Sequence, residues 1–217
     1  MMRSVDTAII PEAYKDTPTR AKLITYKDEA DLAEIFEIES SRVAFEGAFL
    51  ADALLAMAVD KILFNRIEYA KMNSFKLDPH RQEECRDSHS RLWVNDTKAT
   101  NLDATIAAVK RYESQFIHLI LGGDDKGVDL HQLFNFLAEK ELHIYAIGSN
   151  KERLIHLAQE YKIAATLCNN LIDAIEKIDK NLQESEVALL SPAAASLDEF
   201  SSYAERGNLF KERVKQL

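Results

Sequence analysis

From Arg91 onward, short apolar runs alternate with amphipathic segments of helical period, and this alternation limits the possible folds more than any other feature of the chain. The strand-like runs are Arg91–Val94, Phe116–Leu121, His143–Ile147, Ile163–Leu167 and Val187–Leu190. Helix-like segments separate them at Thr100–Tyr112, Leu130–Glu139, Lys151–Tyr161 and Leu171–Leu182, and a last helix is predicted over Leu197–Val214. Strands alternating with helices of this length build βαβ units and a parallel sheet. The predicted class is α/β, a Rossmann-like, mostly parallel sheet with helices on both faces. Right-handed crossovers bring the C-terminal ends of all such strands to one edge, where open α/β sheets bind ligands.

Asp78-Pro79 marks a break, because proline cannot continue a helix and its predecessor is pushed away from the α region. We place a domain boundary there, giving residues 1–78 and 79–217. Ahead of it, Phe49, Leu50, Ala53, Leu54, Met57, Ala58, Ile62 and Leu63 recur at helical spacing within Glu46–Phe64. Extended pieces such as Lys22–Tyr26 accompany that helix, but there are too few units to close a sheet. The first region reads as part of a domain.

Charge narrows the function. With 36 acidic and 27 basic residues the net charge is −9, the wrong sign for sequence-independent phosphate binding and for a polybasic membrane surface. Nucleic-acid and membrane partners are therefore not expected. The most apolar stretch, Phe49–Phe64, is interrupted by Asp52, Asp60 and Lys61, too short and too charged for a membrane span. Met1–Asp6 has no apolar run of signal-peptide type. Cys85 and Cys168 form no CxxC pair, so a reducing, cytoplasmic compartment is expected.

Three polar loops follow predicted strands: Asn95–Asn101, Gly122–Gly127 and Ser191–Ser196. All fall on the expected ligand edge, and two carry a lysine, Lys98 and Lys126, which suits an anionic ligand. Structural roles compete. Ser196 with Glu199 fits the S-x-x-E capping box and would start the last helix, and Thr100 with Asp103 would cap another. Lys126 would then be a solvated turn residue. Gly122–Gly127 has P-loop spacing, but Val128 and Asp129 stand where the lysine and hydroxyl belong. No G-x-G-x-x-G occurs, and the six histidines form no HExxH, so no metal site is predicted. His118 and His143 fall within strand runs and read as core or sheet-edge residues.

Taken in order, Asp78-Pro79-His80-Arg81, Asn95–Asn101, Leu121–Lys126, Leu190–Phe200 and Tyr203–Asn208 resemble the Mur ligases, most closely those adding D-glutamate. The resemblance runs from about Phe45 to the C-terminus, and the Asn95–Asn101 loop is its most specific piece. It implies an ATP-dependent amide ligase of peptidoglycan synthesis. ATP phosphorylates the carboxylate of UDP-N-acetylmuramoyl-L-alanine, and the D-glutamate amine attacks the acyl phosphate. Such enzymes have a UDP-binding domain, a central ATPase and a C-terminal Rossmann-like domain for the amino acid. Here 1–78 would be the last part of the central domain and 79–217 the third. The UDP-binding domain, the phosphate loop and the magnesium ligands would be missing, which implies a fragment inactive alone. The Mg2+ that accompanies ATP would be held in that missing part.

The resemblance also assigns residues. Thr100, Lys126, Ser196, Leu197 and Tyr203 would hold D-glutamate; Arg81, Asp96 and Lys98 would face the nucleotide; Lys98 and His80 would be catalytic. Ala48, Phe49 and Asp52 stand where the family usually shows asparagines towards adenine, which makes Asp52 a nucleotide-side candidate. Tyr203 replaces a usual phenylalanine, and Gln82 follows Arg81 where an aromatic is common. The competing readings are another Mur-type or folylpolyglutamate ligase, or a non-catalytic α/β ligand-binding module.

Overall fold

A computed structural model describes residues 6–217; Met1–Val5, on which the reading of the N-terminus partly rests, lie outside the described residues. The chain divides into two compact units that meet between Lys76 and Leu77.

The first unit pairs strands β1 (Thr7–Pro11) and β2 (Lys22–Tyr26) in parallel and packs helices α1 (Glu29–Ile35), α2 (Ala48–Phe64) and α3 (Tyr69–Ser74) around them. Leu32, Phe36, Leu54, Met57 and Ala58 form its small core. The helical spacing read within Glu46–Phe64 is thus α2. Its end is set by Asn65 in the left-handed conformation, a conformation asparagine tolerates better than most residues. Two parallel strands are a thin sheet, below what is stable without helix packing.

The second unit holds a six-stranded sheet ordered β3-β4-β8-β5-β6-β7. Its elements in chain order are β3 (Glu83–Arg86), β4 (Leu92–Asn95), α4 (Leu102–Tyr112), β5 (Ile117–Gly122), α5 (His131–Leu137) and β6 (Leu142–Ile147). Then come α6 (Lys151–Glu160), β7 (Ala164–Leu167), α7 (Leu171–Asp179), β8 (Val187–Leu190) and α8 (Tyr203–Val214). All pairs are parallel except β3–β4, which is antiparallel. Successive side chains of a strand face opposite sides. Leu119 and Leu121 accordingly join Ala108, Phe134 and Leu154 from α4, α5 and α6, while Ile120 joins Ile175 and Phe210 from α7 and α8. Both faces are covered, as the alternation implies.

Three local expectations need correction. Strand β3 has no apolar alternation in Glu-Glu-Cys-Arg and escapes a pattern search; it forms because the edge of β4 supplies its ladder. The last helix starts at Tyr203, not Leu197. Its cap is Ser202, whose hydroxyl accepts the Glu205 N–H, while Ser196 starts only a single turn, its carbonyl accepting the Phe200 N–H at 2.8 Å. Helix α4 is capped by Asn101, which accepts from Ala104 N–H at 2.9 Å, and not by Thr100. Among the described residues no helix is long and apolar enough to cross a membrane.

Candidate functional site

The loops leaving β4, β5 and β8 lie side by side at the C-terminal edge of the sheet and are laced by backbone hydrogen bonds. Asp96 N–H donates to Leu190 O and Gly122 N–H to Pro192 O, each at 2.9 Å. Asp124 and Ala195 exchange N–H and carbonyl at 2.9 and 3.0 Å. That approach requires glycine at position 123: its φ is +144°, and a Cβ there would collide with the Ala195 carbonyl oxygen.

Between these loops opens a pocket of about 190 Å³ lined by Thr100, Asn101, Asp124, Lys126, Ala193 and Ala195, among others. The size fits an amino acid better than a drug-sized molecule, whose pockets run from about 300 Å³ upward. Two loops widely separated in the sequence thus deliver Thr100 and Lys126 to one cavity. Lys126 sits at φ +51°, its N–H bonded to the Asp124 carboxylate at 3.1 Å. Its ammonium forms no ion pair among the described residues. Asp125, the other acid of the turn, is held by Asn150 Nδ2 at 2.8 Å and by Arg153 Nη1 at 2.9 Å. Arg153 thereby offsets the Asp125 charge close to the lysine.

A second cluster flanks the pocket. His80 is buried at φ +69°, with Nδ1 2.9 Å from Asn95 Nδ2. Because the amide nitrogen is the donor, Nδ1 is the acceptor and Nε2 carries the proton of the neutral ring; this tautomer is assigned from the hydrogen-bond network. Burial, helped by Lys211 and Lys98, lowers the His80 pKa against the pull of Glu83. Glu83 accepts the His80 N–H at 3.1 Å and pairs with Lys211 at 2.9 Å. Burial works to raise the Glu83 pKa, but Lys211 and these hydrogen bonds hold it below the ordinary range.

Lys98 Nζ stands 3.3 Å from Asp78 and 5.7 Å from the Tyr203 ring centroid. Tyr203 meets His80 edge-on with centroids 6.1 Å apart. Arg81 is exposed, its Nε 3.7 Å from Asp78. Arg81 and Lys98 therefore converge on one acid, Asp78, with Tyr203 between Lys98 and the buried His80 ring.

The remaining predicted residues are less simply placed. Asp96 is buried and turned inward, its oxygens accepting Ser191 Oγ at 2.8 Å and Gln82 N–H at 3.1 Å. Burial pushes its pKa up to about 6, against these hydrogen bonds and the charges of Arg81 and Arg111. Ser196 is buried, Leu197 is 65% exposed, and neither lines the pocket, although Ser196 directly follows Ala195, which does. Asp52 is exposed on α2 in the first unit.

The sequence reading assigned no role to Arg206, although it lies within the quoted Tyr203–Asn208 run. Its side chain is 1% exposed and donates to four oxygens: Nε to Thr97 Oγ1 at 2.8 Å, Nη2 to Thr97 O and Ala194 O at 3.1 Å each, and Nη1 to Gly122 O at 3.4 Å. Burial brings its pKa down to about 10, with Asp198 and Glu199 opposing from a distance. Asn95 was likewise missed; it sits wholly buried between His80 and Glu83. Neither residue has a sequence signal beyond the runs that contain it, because each acts through contacts with residues distant in sequence.

No protein-family model matches the chain. It is 48% identical over 216 residues to UDP-N-acetylmuramoylalanine–D-glutamate ligase from Campylobacter jejuni, an alignment that takes in 100% of this chain and 54% of that protein. The likeness therefore extends ahead of Phe45, where the motif resemblance begins. Among solved structures, FolC from E. coli, bound to DHPP and ADP, matches with a TM-score of 0.65 at 14% identity, covering 97% of this chain and 54% of that one. UDP-N-acetylmuramate-alanine ligase from Thermotoga maritima matches with 0.56 at 15% identity, covering 79% and 39%. At such identities the structures speak for the fold alone. The chain spans about half the length of the curated relatives it matches. Along its whole length, the chain is thus similar in sequence to about half of a UDP-N-acetylmuramoylalanine–D-glutamate ligase.

Proposed function

We propose that this chain carries the amino-acid-donor part of an ATP-dependent amide ligase that joins D-glutamate to UDP-N-acetylmuramoyl-L-alanine in cytoplasmic peptidoglycan synthesis. The observation that carries the reading is the small pocket where Thr100 and Lys126 meet at the C-terminal edge of the sheet. The relatives' names supply the identity of the donor, and the pocket chemistry agrees with a small carboxylate ligand. An ammonium without an ion pair, a hydroxyl and the first turn of α4 all favour negative charge.

In this reading Lys126 pairs with one carboxylate of D-glutamate and Thr100 donates to the ligand, while the Ala193–Leu197 segment closes the wall and supplies Ser196 and Leu197. Tyr203 borders the ligand on the side of His80. Lys98 and Arg81 face the ATP phosphates, Asp52 belongs to the adenine side, and Asp96 acts from below by holding Gln82 and Ser191. The substrate carboxylate takes the γ-phosphoryl group and ADP leaves. The donor amine then attacks the acyl carbon, loses a proton, and inorganic phosphate departs with its bonding electrons. A neutral His80 with its proton on Nε2 offers a hydrogen bond without adding charge. Excluding water at this edge protects the acyl phosphate from hydrolysis.

A divalent cation accompanies ATP in such chemistry, but no group of three or more His, Cys, Asp or Glu able to hold one occurs among the described residues. No step is therefore assigned to a metal held by this chain.

Titration of the protein with D-glutamate and L-glutamate, followed by amide chemical shifts, tests the proposal. D-glutamate should shift Thr100, Lys126 and Ala195, with L-glutamate at least about 10-fold weaker. Preference for L-glutamate would point to a folate-type ligase, and binding of neither would overturn the assignment.

A further inference from the structure

The pocket walls come from three loops, and one side chain bonds to all three. Arg206 reaches from α8 and grips Thr97 through both its hydroxyl and carbonyl oxygens, the Ala194 carbonyl, and the Gly122 carbonyl. Thr97 lies three residues before Thr100, Gly122 lies four before Lys126, and Ala194 sits between the pocket-lining Ala193 and Ala195. Each bonded oxygen therefore belongs to the stem of a segment that delivers a pocket group.

Arg206 is also an unusual buried charge. No carboxylate stands within ion-pair distance of it among the described residues, and the four oxygens it bonds are all neutral. Retaining a full charge in such a place is costly unless its hydrogen bonds are good and something anionic lies near. A neutral side chain of similar volume would fill the space without that cost. What it could not do is reach three backbone carbonyls and a hydroxyl from one planar fork, a geometry that lysine also lacks.

We propose that Arg206 is the positioning residue of the donor pocket: its fork sets the spacing of the Thr100, Lys126 and Ala193–Ala195 walls, and its buried charge favours an anionic occupant. It acts through the loops and touches no ligand. The second half of this statement rests on the donor reading above; the first does not.

The test uses the 217-residue chain with Arg206→Lys, which keeps the charge, and Arg206→Gln, which removes it. Two readouts are needed: hydrogen exchange without ligand, and titration with D-glutamate. In both variants the amides of Gly122, Asp124 and Ala195, which bridge the loops, should exchange at least about 10-fold faster. The amides of Leu119 and Ile144 in the mid-sheet should keep their protection. D-glutamate affinity should fall about 10-fold or more in Arg206→Lys and further in Arg206→Gln. Uniform loss of protection across strands and loops would mean a purely structural role and would overturn the proposal. So would unchanged loop exchange in Arg206→Lys. If the unsubstituted protein binds no D-glutamate, the donor reading and the charge half fail together, while the exchange pattern still decides whether Arg206 sets the loops.

Discussion

Gly207 of α8 presses against the ring of His80 so closely that a Cβ would overlap Nδ1 and would stand 2.6 Å from the Thr97 methyl carbon and 2.9 Å from Asn95 Oδ1. The glycine is helical, with no positive φ to demand it, so the contact alone explains it. Replacing glycine by alanine inside a helix gains about 1 kcal/mol from propensity. Forcing a methyl into a filled site costs about 1–3 kcal/mol. His80, Thr97 and Asn95 are all buried and cannot swing aside, so the clash should win. Gly207→Ala should destabilise the second unit by up to about 2 kcal/mol in urea unfolding. A more stable variant would show that this region yields.

Lys126→Ala tests the donor pocket from its exposed side. A hydrogen bond to a charged group contributes about 1.5–3 kcal/mol, and about 1.4 kcal/mol corresponds to tenfold in affinity. D-glutamate binding should therefore weaken by about 10- to 150-fold, with little change in the unfolding midpoint. In the complete ligase the apparent Michaelis constant for ATP should move much less, since Arg81 and Lys98 lie in the other cluster. Unchanged D-glutamate dependence would make Lys126 a solvated turn residue.

Asp96 predicts a pH dependence of a definite sign. Its folded pKa, about 6, lies above the ordinary 3.8, so the folded protein holds the proton more tightly than the unfolded chain. That contribution is present below about pH 4 and is lost as pH rises through 6, reducing stability at pH 7 by on the order of 3 kcal/mol. Asp96→Asn can still accept from Gln82 and can donate to Ser191 Oγ. Relative to the unsubstituted protein, the variant should gain stability between pH 4 and 7. A constant difference across that range would contradict the buried-carboxylate account.

Much of the sheet could be read from the chain because buried parallel strands such as Ile117–Leu121 are apolar save for His118 and their helices are not. Edge strand β3, with Glu83 and Glu84 half-exposed or exposed, has no such contrast. Within the site, Thr100 and Lys126 were findable because polar loops after apolar strands mark the ligand edge. Arg206 and Asn95 were not, since what makes them important is burial against loops far away in sequence. Near the last helix, the S-x-x-E patterns Ser196–Glu199 and Ser202–Glu205 are indistinguishable as strings. The helix starts at the second, where the Ser202 hydroxyl accepts the Glu205 N–H; at Ser196 a single turn to Phe200 closes and goes no further.

The two units should also differ in resistance to protease. One rests on two strands and a small cluster, the other on a six-stranded sheet covered on both faces. Limited trypsin digestion should first cut in the first unit or near Lys76, leaving a resistant fragment that begins close to Leu77. Early cleavage between Ile117 and Leu190 would contradict this.

For the isolated 217-residue protein, neither ATP hydrolysis nor amide formation is expected, since it contains no Walker lysine to position the phosphates. Phosphate release measured with ATP and D-glutamate present should match the background. Turnover by rigorously purified protein would refute this.

Strands β4 and β5 follow one another in the chain, yet β8 lies between them in the sheet. During synthesis, therefore, the nascent chain carries a central gap until Val187–Leu190 have emerged, and Arg206 follows later still. The ladder that joins β4 to β5 and the fork that grips their loops thus arrive after most of the domain has been made. A ribosome-bound precursor lacking these segments would have both ligand-facing loops and no fixed distance between them, so ligand affinity should appear abruptly once Arg206 has emerged rather than grow with chain length.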